Sequence, residues 1–65
     1  MRITVNGVEH ELAAETLAGA LKALEYENAT IATALNGHFV PARKRDQAKL
    51  AEGDRIEIVA PRQGG

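Results

Sequence analysis

The tightest constraint on this chain is its first dozen residues, MRITVNGVEHEL. Met1, Ile3 and Val5 recur at every second position, Asn6-Gly7 interrupts, and Val8 and Leu12 resume the alternation. This pattern predicts a hairpin of two extended strands. Both central residues of a type I′ turn need positive φ, which Asn and Gly tolerate, and the two-residue loop sets the register. Val5 then faces Val8, Ile3 faces His10 and Met1 faces Leu12. All six side chains share one face, so His10 is expected on the core side as a partly buried edge residue. No second His, Cys or carboxylate cluster accompanies it to build a ligand set.

In TLAGALKALEY the period changes. Leu17, Ala20, Leu21 and Leu24 fall at i, i+3, i+4 and i+7, the apolar stripe of a helix, with Thr16 as its N-cap and NAT (Asn28 to Thr30) as its end. Burying three leucines contributes roughly 5–9 kcal/mol as an upper value, so the stripe must lie on a sheet. Gly19 sits in the helix interior, where it costs roughly 1 kcal/mol relative to Ala; close approach of helix to sheet is the expected reason.

The second half returns to strands. Ile31 to Leu35 predicts a strand buried on both faces, central or near-central, because small Ala32 and Ala34 rather than charges alternate with larger residues. A second Asn-Gly turn, with a solvated His38, leads to a short strand at Phe39-Val40; Pro41 cannot donate to a ladder and places it at an edge. ARKRDQAKLAE is expected to form a loop or a short helical turn anchored by Ala48 and Leu50. Its Arg43, Lys44 and Arg45 make a solvated face, with a docking contact as the sharper reading. Gly53-Asp54 turns the chain into RIEIVA, where Ile56 and Ile58 alternate with charges, and Pro61 ends the ladder. The order β-β-α-β-β-β predicts an α+β roll, a mixed sheet covered on one face by one helix. Residues 1–60 form the expected domain and 61–65 a flexible tail.

Composition narrows the function. A chain of 65 residues buries only about 60% of its unfolded surface, which leaves little interior for a catalytic pocket. Tyr26 and Phe39 are the only aromatics, so the core is aliphatic. There is no cysteine, which excludes disulfides, thiolate metal sites and a persulfide on a side chain. A net charge of −1 gives no electrostatic basis for nucleic-acid binding. No apolar run reaches the roughly 20 residues that span a bilayer, and Met1 does not begin a signal-peptide pattern, so a cytoplasmic location is expected. The carboxylates are scattered, and Thr16, Thr30 and Thr33 are explained by cap, turn and strand, so the chain does not read as an enzyme.

One reactive group remains, the α-carboxylate of Gly65 at the end of APRQGG. It is an anion at neutral pH and a poor electrophile, so covalent use requires prior activation by an enzyme that closes around the terminus. Gly64 and Gly65 lack Cβ atoms and suit a narrow channel, with Arg62 and Gln63 as spacer and partner contacts.

Taken together, ITVNG, TLAGALKAL, ALNGHFVP, LAEGDRIEIV and the closing Gly-Gly resemble the ThiS-type sulfur carrier family of thiamine biosynthesis across essentially the whole chain. The resemblance implies the ubiquitin-like β-grasp fold and a cycle in which Gly65 is adenylated by an E1-like enzyme using ATP and magnesium. The acyl-adenylate is then converted to a thiocarboxylate with sulfur from a cysteine desulfurase or another donor, and thiazole synthase takes that sulfur into the thiazole ring. The carrier itself binds no cofactor and is expected to be a monomer on its own. The chain departs from the family pattern in two places: Ala42 stands between Pro41 and Arg43, and Arg62 and Gln63 are bulkier than the residues common before the final pair. The alternatives are a molybdopterin synthase small-subunit type of carrier, usually longer, and a β-grasp module that binds a partner through its sheet face with an idle tail.

Overall fold

A computed structural model describes residues 1–26 and 30–60. Strands β1 (Arg2–Val5) and β2 (Val8–Glu11) form the expected hairpin, with Ile3 opposite His10 and Val5 opposite Val8. Asn6 (φ 49°) and Gly7 (φ 83°) both take the left-handed conformation that a type I′ turn demands. The pairing extends to Met1 and Leu12, whose main chains are joined by a 2.8 Å hydrogen bond. The Met1 ammonium also donates to Glu11 Oε2 at 2.7 Å and to the Leu12 carbonyl at 2.9 Å. Hydrogen bonding to that ammonium, reinforced by its charge, holds the Glu11 carboxyl below its ordinary pKa. His10 is half-buried on the core side, as expected for an edge residue.

Helix α1 spans Leu17–Ala23 and starts at Thr16, whose hydroxyl accepts the Gly19 N–H at 3.1 Å. The N–H groups of Leu17 and Ala18 donate to the carbonyls of Ala48 (2.8 Å) and Arg45 (3.0 Å), so the donors of the first turn are satisfied by the later loop. A Cβ on Gly19 would lie 3.3 Å from the Ala14 Cβ and 3.5 Å from the Thr16 hydroxyl. The crowding therefore comes from the chain's own approach to the helix, not from the sheet as expected. The helix is also shorter than its apolar stripe suggested. Tyr26 N–H donates to the Leu21 carbonyl at 2.7 Å and Glu25 N–H to the Lys22 carbonyl at 3.0 Å, with Glu25 at φ 68°. This Schellman arrangement ends α1 before Asn28 is reached. Residues 27–29, including part of the NAT stop, lie outside the described residues.

Strands β3 (Ala32–Leu35), β4 (His38–Val40) and β5 (Arg55–Val59) complete a five-stranded sheet in the order β2-β1-β5-β3-β4. β5 runs parallel to β1 and antiparallel to β3; the two hairpins are antiparallel. Ile3, Val5, Ile56 and Ile58 from the sheet meet Leu17, Ala20 and Leu21 from α1, and Leu50 closes the group from the loop. All eight are buried.

Three further expectations are corrected. β3 is near-central but buried on one face only: Thr33 is buried, Ala34 half-buried and Ala32 exposed. A single short helix covers one side of the sheet, so the alanines face outward. His38 opens β4 opposite Leu35 instead of lying in the turn, and it is exposed as expected. Between β4 and β5 the chain makes a 3-10 turn at Ala42–Lys44, then packs Ala48 and buries Leu50. Arg43 and Lys44 are exposed, whereas Arg45 turns inward. Its Nε donates to Thr33 Oγ1 at 3.0 Å and its Nη2 to the Ile31 carbonyl at 2.7 Å. The basic run is therefore not one solvated face, because the third cation is consumed as a strut between loop and sheet.

Candidate functional site

The geometry converges on the carboxyl end of β5. Its alternating Ile56 and Ile58 enter the core, which fixes Arg55, Glu57 and Val59 on the opposite, open face. On the β3 side the ladder runs to the pair Val59–Ala32. On the β1 side it stops at Val5–Ile56, because the chain there enters the hairpin turn. The Asn6 side chain takes over: its Oδ1 accepts the Ile58 N–H at 2.8 Å and its Nδ2 donates to the Ile58 carbonyl at 3.1 Å. The second Asn-Gly turn acts similarly from the other side. Asn36 Oδ1 accepts the Arg55 N–H at 2.9 Å, while its Nδ2 donates to Asp54 Oδ1 at 3.0 Å. Two asparagines thus grip the strand near its two ends.

Beyond β5 the last described residue is Ala60. Arg62, Gln63, Gly64 and Gly65 lie outside the described residues, as does Pro61. What the structure does describe is the surface beside their point of departure. Phe39 is 69% exposed and Val59 64% exposed. The register sets Phe39 beside Ala34, and Ala32 beside Val59, so the four form one apolar strip across β4, β3 and β5. Thr4, Arg55 and Glu57 border it in a shallow concavity of about 650 Å³. The strip has no nucleophile and no paired acid and base; it is suited to docking.

Among the described residues no group of three or more His, Cys, Asp or Glu side chains is placed to hold a metal. Among them, too, no helix is long and apolar enough to cross a membrane. His10 and His38 are on different hairpins and do not meet. The apolar strip was open to sequence reasoning, since the parity that buries Ile56 and Ile58 exposes Val59. The two asparagine grips were not, because no local signal tells a turn asparagine that its side chain will reach a strand more than fifty residues away, as Asn6 does.

A five-stranded mixed sheet with a parallel central pair, crossed on one face by a single helix, defines the ubiquitin-like β-grasp class. Residues 3–65 match the model of the ThiS family. The chain belongs to that family, the small sulfur carriers of thiamine biosynthesis, which are carriers and not catalysts. It is similar to the crystal structure of the thiamine biosynthesis protein ThiS from Geobacter metallireducens, with 29% identity, full coverage of both chains and a TM-score of 0.81. It is likewise similar to the solution NMR structure of a thiamine biosynthesis protein from Geobacter metallireducens, at 28% identity over 100% of this chain and 88% of that one, with a TM-score of 0.78. No curated protein matches.

Proposed function

We propose that this chain carries sulfur as a thiocarboxylate on the main-chain carboxyl of Gly65. The observation that carries this reading is the family match, which runs through Gly64-Gly65, together with β5, the central strand, which ends at Val59, four intervening residues before Gly64 in the sequence. A Gly65 carboxylate oxygen attacks the α-phosphorus of ATP, held with magnesium by an E1-like partner, and pyrophosphate leaves. Sulfur from a cysteine desulfurase or another donor, released as hydrosulfide by a reducing thiol that is oxidised to a disulfide, then attacks the acyl carbon; AMP departs and the thiocarboxylate remains. Thiazole synthase receives the sulfur, an oxygen from water or from the acceptor's carbonyl replaces it on the acyl carbon, and the restored carboxylate re-enters the cycle in the cytoplasm. Acyl activation is needed because a carboxylate resists nucleophiles, and the partner must align it in line with the phosphate. Gly64 supplies the slim backbone for that approach, while Arg62 and Gln63 contact the channel mouth. The apolar strip around Phe39 and Val59 serves as the docking face.

The reading is tested by incubating the chain with its E1-like enzyme, ATP, magnesium and a sulfur donor, followed by intact-mass measurement. The expected result is a gain equal to exchange of one oxygen for sulfur, localised to Gly65. An unchanged mass under conditions where the enzyme consumes ATP would overturn it.

A further inference from the structure

We infer that Asn6 is a positioning residue for the terminal reaction: its side-chain amide sets the direction in which the chain leaves the sheet after β5. This inference rests on the carrier reading above. The parallel β1–β5 ladder begins with Thr4 N–H donating to the Asp54 carbonyl at 3.0 Å and continues with Asn6 N–H donating to the Ile56 carbonyl at 2.9 Å. The even step of a parallel ladder would next bring Ile58 N–H to the main-chain carbonyl of Asn6. At that point the main chain is already turning, with Asn6 at φ 49°. The side-chain carbonyl takes the bond instead, and the amide nitrogen returns one to the Ile58 carbonyl. Asn6 therefore acts as one extra, laterally offset strand residue.

The effect is local to the exit. Ile58 is two residues before Ala60, and on the β1 side nothing else among the hydrogen bonds of the described residues holds it. Without the amide, the last turn of β5 would be anchored only by β3, through the Thr33–Ile58 and Ala32–Val59 pairs. A strand held on one edge can pivot about that edge, and a pivot at Ile58 displaces Ala60, the point from which the chain continues toward Gly65. Catalysis that depends on aligning a terminal carboxylate with a phosphorus is sensitive to such an error. Asn36 offers an internal comparison. It makes the same kind of grip on β5, but at Arg55, the end remote from the exit.

The test uses N6G, N6D and N36G in the full chain. Glycine removes the amide while tolerating positive φ, so the turn is kept; N6D keeps the acceptor for Ile58 N–H and loses the donor to the Ile58 carbonyl. ATP–pyrophosphate exchange by the E1-like enzyme is followed at a temperature where every variant is folded. The expected result for N6G is a kcat lowered by about tenfold or more with a smaller change in KM for the carrier, Asn6 lining only the rim of the open-face concavity. N6D should fall between, and N36G should match the unaltered chain in both constants. Amide hydrogen exchange should accelerate at Ile58 in N6G and N6D but not in N36G. Should N6G fail to fold, N6D decides alone. An unchanged kcat in the folded Asn6 variant, an effect confined to KM, or an equal loss in N36G would overturn the inference alone. Absence of exchange with the unaltered chain would overturn the carrier reading and this inference with it.

Discussion

Arg45 Nε donates to the buried hydroxyl of Thr33 at 3.0 Å, and that hydroxyl in turn donates to the Val40 carbonyl at 2.9 Å. With Nη2 on the Ile31 carbonyl, one guanidinium joins the loop after β4 to the strand that flanks β5. Removing it should cost more than an exposed arginine would. R45A is expected to destabilise by about 2 kcal/mol, and T33V by about 1–2 kcal/mol, because each leaves a partner unsatisfied. R45K should recover little, since an ammonium cannot reproduce the planar fork. Urea unfolding of the three variants checks this, and a loss near zero for R45A would show the strut to be decorative.

Glu25 closes the helix with φ 68°, a conformation that favours glycine. E25G is expected to stabilise the fold by about 0.5–1 kcal/mol, strain relief outweighing the added freedom of the unfolded chain. The midpoint of thermal unfolding should rise. A fall would mean that the carboxylate side chain makes a compensating contribution.

Glu11 faces the Met1 ammonium at 2.7 Å, and its carboxyl pKa is lowered. A lowered folded-state pKa means that the unfolded chain binds the proton first. The contribution is therefore in place above the unfolded value of roughly 4.3 and is lost as pH falls through the folded value. Stability curves of E11Q and the unaltered chain should differ at neutral pH and converge in acid. Parallel curves across the acid range would contradict the assignment.

Phe39 is exposed on β4 without a packing task. F39S should change the unfolding free energy by no more than about 0.5 kcal/mol, as for surface positions generally. If the open face docks the activating enzyme, the same substitution should raise KM for the carrier by about tenfold, with kcat little changed. This is the opposite kinetic signature to that expected of N6G, so the two variants separate docking from alignment.

Where side-chain period and turn chemistry act locally, the fold was legible in the sequence. Asn6-Gly7 specified the first hairpin and its register, Thr16 the start of the helix, and Ile56 with Ile58 the inward face of β5. What escaped depended on partners distant in sequence. Ala32 and Ala34 looked like the interior of a sheet, because small apolar residues suit a doubly covered strand and a bare face equally well. Arg45 looked like part of a solvated run, since nothing beside it reports the Thr33 hydroxyl twelve positions earlier. Helix length was overread because Leu24 continues the apolar stripe although it is already the C-cap, with Glu25 at positive φ directly after it.

The placement of β5 has one more consequence, for the order of events at the ribosome. The β1–β2 and β3–β4 hairpins share no ladder with each other; each is joined to the sheet only through Arg55–Val59. Translation must therefore reach this strand before either hairpin has a neighbour to complete it. A polypeptide interrupted earlier is left with two hairpins that share no ladder, each marginal in water by itself. Completion of the sheet thus waits until synthesis has passed Val59, so a copy with a closed sheet already carries the strand that leads toward Gly65.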